Sequence, residues 1–116
     1  MEETVPESLN PRDGIEARIH REIEEALRGI IDPGTGLDIL RMGLVKHTRL
    51  EKADKGYRAI LTFRPSSPVC PMAFKLAWEI KQSARSVKDI ESAQIKVEGY
   101  NRAAELEAIL ETEEKP

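Results

Sequence analysis

One cysteine in 116 residues rules out an intramolecular disulfide, and a chain without one suits a reducing compartment such as the cytoplasm. Aromatic residues are scarce at 4%, so the core has to be built from Ile, Leu, Val and Ala. No apolar run approaches the roughly 20 residues needed to cross a bilayer, and the opening Met1-Glu2-Glu3-Thr4 lacks the basic and apolar regions of a signal peptide. A basic excess is missing too: the formal charge of −3 argues against a nucleic-acid-binding domain, whose partner would demand a positive surface. Neither internal repeats nor low-complexity stretches interrupt the chain. What is present is 40% hydrophobic and 34% charged, the composition of one soluble domain around a single core.

Pro6 and Pro11 mark residues 1–12 as a flexible arm, residues 111–116 read as an acidic tail, and the folded domain is expected over 13–110. Asp13 and Glu16 have the spacing of a capping box, and Ile15, Ile19, Ile23, Ala26, Leu27 and Ile30 follow at helical period, predicting an amphipathic helix of about four turns. Asp32-Pro33-Gly34-Thr35-Gly36 ends it in a loop. Residues 39–42 read as a short turn leading through Gly43. Residues 44–50 and 57–64 then form two strands around the polar turn 51–56, an expected antiparallel hairpin. In the second strand Tyr57, Ala59, Leu61 and Phe63 share one face. A second helix is expected from Pro71 to about Val87, a third strand within residues 90–98 with Ile95 and Val97 inward, and a last helix capped by Asn101. The order α-β-β-α-β-α predicts a two-layer α+β domain with helices on one face of a small mixed sheet.

Cys70 lies in Ser66-Ser67-Pro68-Val69-Cys70-Pro71, immediately before the second helix. Proline suits the first helical position, because its missing N–H would lack a partner there. Cys70 is therefore expected at the N-cap, where free backbone N–H groups and the helix dipole favour a thiolate. The competing reading is a small cysteine packed behind the helix end, since free cysteines are among the most buried residue types. Arg64 could lend positive charge to the thiol, or simply be an exposed residue at a strand end. Asp32, Thr35, Asp38, Ser66 and Ser67 have plain readings as turn or cap residues. His47 reads as a surface residue of the first strand and His20 as a solvated one.

One thiol cannot hold a metal centre alone: iron–sulfur clusters take four ligands, mostly thiolates, and structural zinc likewise takes four. The chain has no CxxC or HxxxH pair, so metal bound at Cys70 would need ligands from another chain or from the Asp32 loop. A cysteine enzyme would need a histidine beside the thiol, and nothing in the sequence puts His47 there. Gly34-Thr35-Gly36 matches neither a P-loop nor a dinucleotide fingerprint. A free-standing enzyme is therefore not expected.

The segments Asp32-Pro33-Gly34-Thr35-Gly36-Leu37-Asp38-Ile39-Leu40-Arg41-Met42-Gly43-Leu44-Val45 and Leu61-Thr62-Phe63-Arg64-Pro65-Ser66-Ser67-Pro68-Val69-Cys70-Pro71 together resemble a known family. It is the SufT-like and PaaD-like one, which includes the eukaryotic cytosolic iron–sulfur assembly component of the targeting complex. The likeness spans roughly residues 15–110 and implies the fold of the iron–sulfur cluster assembly type. Carried over by position, Cys70 matches the family's reactive cysteine, Asp32 the first acid of its loop, and Ser66 and Ser67 its hydroxyl pair. Gly34 stands where many members have glutamate, and Gly99-Tyr100-Asn101 replaces an aromatic-proline segment.

The resemblance implies a cytoplasmic factor in the maturation of iron–sulfur proteins, a cluster carrier or an adaptor to recipient proteins. Cys70 would supply a thiolate ligand, a transient persulfide or a cluster contact, with Asp32 across the pocket mouth and Ser66, Ser67, Thr35 and Arg64 in support. Its cofactor would be at most a transient iron–sulfur cluster. Its partners would be assembly and recipient proteins, and a homodimer would bring two Cys70 thiolates together. Two alternatives stand beside this reading: a metal-free interaction module, and an accessory subunit of an aromatic-acid oxygenase complex of the PaaD-like kind.

Overall fold

The computed structural model describes residues 11–112. Residues 1–10 of the expected arm over 1–12 and residues 113–116 of the expected tail over 111–116 therefore lie outside the described residues, while residues 11 and 12 already belong to a helix and Glu111 ends another. Six elements follow in the expected order: α1 (Pro11–Leu27), β1 (Val45–Lys52), β2 (Tyr57–Phe63), α2 (Ala73–Arg85), β3 (Ile90–Val97) and α3 (Ala103–Glu111). β2 is the central strand of a sheet ordered β1-β2-β3. It pairs antiparallel with β1, the expected hairpin, and parallel with β3. A parallel pair cannot be joined by a tight turn, and α2 is the crossover that joins this one.

Alternation along β2 sets the layers. Tyr57, Ala59, Leu61 and Phe63 are buried in the core together with Ala93, Ile95 and Val97 of β3. From the helical side come Ile19, Ile23 and Leu27 of α1, Leu76, Ala77, Ile80 and Ala84 of α2, and Leu106 and Leu110 of α3. All three helices therefore serve one face of a mixed sheet. Ile15, at the start of the expected apolar stripe, is 42% exposed, and His20, expected to be solvated, is half-buried.

Three expected helix caps are not found. α1 already runs from Pro11, which places Asp13 inside the helix. α2 begins only at Ala73, with Met72 at the cap and no side-chain cap hydrogen bond. α3 begins at Ala103 with Arg102 at the cap, again without a side-chain cap bond, while the Asn101 N–H donates to the Pro68 carbonyl at 2.9 Å. Lys81, charged and in the middle of α2, is only 4% exposed. Its ammonium donates to the Leu110 carbonyl, a second donor to an end group of α3 that also accepts a backbone N–H at the helix cap.

The crossover closes at a tight backbone contact. The Asp89 carbonyl accepts the Tyr57 N–H at 2.8 Å, and Asp89 adopts φ 76°, which few non-glycine residues do. Gly56 passes so close that a Cβ there would stand 2.4 Å from the Asp89 carbonyl oxygen. Gly56→Ala should therefore destabilise the domain by about 2 kcal/mol, read as a lower urea midpoint. An unchanged midpoint would show that the two backbones part at little cost.

Candidate functional site

The segment between β2 and α2 is anchored at several points. The Arg64 N–H donates to the Leu44 carbonyl at 2.7 Å, and Pro65 is buried. The Ser67 hydroxyl then accepts the Val69 N–H at 3.1 Å, while the Ser67 carbonyl accepts the Cys70 N–H at 3.1 Å. Ser67 thus closes a turn through its own side chain. The Cys70 carbonyl accepts the Ala73 N–H at 3.3 Å and the Tyr100 hydroxyl at 3.3 Å. With Asn101 held by Pro68, the turn after β3 is clamped to the turn before α2, and Cys70 lies between them.

Cys70 is 8% exposed and belongs to the core cluster. It also lines an open pocket of ≈ 520 Å³ whose other walls include Val69, Phe74, Tyr100, Asn101 and Arg102. The structure favours the packed reading of this cysteine: Met72, not Cys70, stands at the cap of α2, because the turn through Cys70 and Pro71 precedes the helix, while Cys70 packs against the core and lines the pocket. Val69 stands 68% exposed at the rim. Phe74 and Tyr100 meet edge to face, centroids 6.2 Å apart, and the Arg102 guanidinium lies 4.7 Å over the Phe74 ring, a favourable cation–π distance. Glu105 holds Arg102 by two hydrogen bonds, of 2.9 and 2.7 Å. These bonds hold the Glu105 carboxyl below, and the Arg102 guanidinium above, their ordinary ranges.

The other expected site residues are not gathered here. Asp32 is buried, but its carboxylate serves its own loop, accepting the Gly34 N–H at 3.3 Å and the Thr35 hydroxyl at 3.2 Å. Thr35 in turn accepts the Leu37 N–H, and Asp38 accepts the Arg41 N–H at 2.9 Å. Asp32, Thr35 and Asp38 do not line the Cys70 pocket; Asp32 and Asp38 are the turn residues of the plainer reading. Ser66 is exposed, and Arg64 lies over Gly99, where a Cβ would come within 3.0 Å of its Nε. Neither Arg64 nor a histidine lines the pocket. Sequence reasoning missed Tyr100, which bonds the Cys70 carbonyl from 30 residues away, and Arg102, which lines the same pocket; the only trace they left was the unusual Gly99-Tyr100-Asn101.

Fold and site together define a small α+β domain that offers a single thiol at the edge of its core. The family model described as "Iron-sulfur cluster assembly protein" matches residues 20–97, and the chain belongs to that family. A curated relative, an uncharacterized protein of Methanocaldococcus jannaschii, is 24% identical over 93 residues, covering 80% of this chain and 95% of the relative. The crystal structure of a domain of unknown function, DUF59, from Bacillus anthracis superposes with a TM-score of 0.59 at 22% identity, covering 83% of this chain and 93% of that one. That likeness establishes the fold. A solution structure from Mycobacterium tuberculosis, of a protein associated with Fe–S complex assembly and repair, gives a TM-score of 0.49 at 23% identity over 84% of this chain and 75% of that one. Among the described residues no helix is long and apolar enough to cross a membrane.

Two predictions follow from the geometry. Asp32→Ala removes a carboxylate that closes a turn, so it should cost about 1.5 kcal/mol of stability yet leave the rate of Cys70 alkylation by iodoacetamide unchanged; a slower or faster rate would tie the loop to the thiol. The Glu105 carboxyl should titrate below the ordinary glutamate range and return towards it in Arg102→Ala, read from side-chain carbon shifts. Because the folded value is the depressed one, whatever stability the pair gives is present above the unfolded glutamate range and is lost as pH falls through the folded value.

Proposed function

We propose that this chain serves iron–sulfur cluster assembly as a hand-over factor, offering Cys70 as one thiolate contact to a cluster whose other ligands belong to another chain. The cluster is cargo here. The observation that carries the reading is the double setting of Cys70: its backbone is fixed at both N–H and C=O, while an open pocket reaches the residue. A fixed backbone beside an open cavity holds the side chain at the place where an incoming metal centre would have to meet it.

The donor set supports a shared site. Among the described residues no group of three or more His, Cys, Asp or Glu could hold a metal ion, and a cluster calls for about four ligands. An assembly or recipient protein would complete it; a second copy of this chain brings one further thiolate, and a cluster between two copies would take its remaining ligands from small thiols. We assign no catalysis to the pocket, because its wall carries no histidine or carboxylate to act as a base. The Asp32 loop has no part in this reading; it organises the chain between α1 and β1.

Anaerobic reconstitution with iron, sulfide and a small thiol such as dithiothreitol to fill the remaining ligand positions, beside Cys70→Ser, tests the proposal by visible and Mössbauer spectra together with the number of chains per particle. The expected result is a cluster signal that accompanies pairing of chains and that the variant loses. No cluster in either protein would remove Cys70 from the ligand set and leave the metal-free interaction module, which the burial of Cys70 favours. Under that second reading Cys70→Ser would bind assembly and recipient proteins as well as the wild type does.

A further inference from the structure

Ile60 is the one buried hydrophobic side chain among the described residues that does not belong to the core cluster. Alternation along β2 turns it to the face of the sheet opposite the helices, where it is 5% exposed. It forms part of a shallow basin of ≈ 330 Å³ whose other walls are His47, Arg49, Thr62 and Lys96. The register explains the grouping: Arg49 opposes Ile60 and His47 opposes Thr62 across one strand pair, and Thr62 opposes Lys96 across the other. Arg58 shares this face by the same alternation. A chain of formal charge −3 thus gathers cationic side chains around one aliphatic floor on its uncovered sheet face.

We propose that this basin docks an acidic segment of a partner protein, with its carboxylates against Arg49 and Lys96 and an aliphatic side chain along the side-chain stems that surround Ile60. The sign of the charge selects the partner. Lys96 and His47 have no side-chain partner among the described residues, and Arg49 is held by Glu51 at 3.1 Å with both groups largely exposed, a pair that costs little to exchange. Nucleic acid fits poorly: sheet surfaces that read single strands stack bases on aromatic rings, and both β2 aromatics, Tyr57 and Phe63, face the core. The basin shares no lining residue with the Cys70 pocket, so a partner seated here would leave that pocket open.

The test is titration of the nitrogen-15-labelled full chain with the peptide acetyl-Glu-Glu-Leu-Glu-Glu-amide, with its all-Gln analogue, and with a single-stranded oligonucleotide. Expected are amide shifts at His47, Arg49, Ile60 and Lys96 with the acidic peptide only, weakening as salt is raised. The double variant Arg49→Glu, Lys96→Glu should weaken binding about tenfold, its dispersed spectrum reporting an intact fold. Equal binding of the Gln analogue, shifts centred elsewhere, no binding at millimolar peptide, or preference for the oligonucleotide would each overturn the proposal. Because Cys70 is untouched, these outcomes are independent of whether a cluster is bound.

Discussion

The parallel pairing of β2 with β3 is the constraint on which the rest of the structure depends. Strands that run the same way must be joined by a chain that returns across the sheet, and here α2 makes that return. Its first turn has to begin beyond the end of β2, so the Ser66 to Met72 segment is forced to lie at that end of the sheet. The same pairing brings the end of β3 alongside the end of β2, where the Glu98 N–H donates to the Phe63 carbonyl at 3.0 Å. The turn that follows β3 therefore emerges beside Cys70. The pocket is a consequence of sheet topology before it is a consequence of any single side chain.

At that junction the chain uses backbone groups to fix position and side chains to shape the cavity. Asn101 and Tyr100 bond to carbonyls of the Cys70 loop, while Phe74 and Arg102 present a ring and a planar cation to the opening. Pairing with Glu105 keeps the guanidinium over the ring and leaves the wall close to neutral. Cys70, at the margin of the core, is packed on one side and lines the pocket on the other. Those two properties conflict at most positions in a small domain, and a connection at the end of a strand is where both can be had.

Charge is distributed with similar asymmetry. The helical layer is closed over the core, with Lys81 spent on a helix end, and the far face of the sheet carries the cationic side chains of three strands. Only β2 lies between two neighbours, so only its outward residues find aliphatic stems on both sides; this is why Ile60 is buried there without a second layer. A two-layer fold always leaves one sheet face to solvent or to a partner, and the composition of that face is where this sequence departs from plain solvation.

Period and punctuation made the architecture legible in the sequence. The two-residue alternation of β2, the helical spacing from Ile15 to Leu27 and the break at Asp32-Pro33-Gly34 are local signals, and each follows from the geometry of the backbone it forms. Cys70 was legible as the residue of interest for the same reason, since a proline-flanked thiol before an amphipathic stretch is a local pattern. Helix ends were misjudged because a cap depends on where the neighbouring turn is tied: the turn into α2 consumes Cys70 and Pro71, and Pro68 claims Asn101. Asp32 looked like a partner of the thiol but spends its carboxylate within four residues of itself. The sequence by itself determined which segments are helix or strand and which face of each is apolar. Only the tertiary structure decided that Tyr100 and Arg102 share a pocket with Cys70 while Asp32 does not, because that choice is made by the parallel strand pairing, a contact between segments too distant for any local period to record.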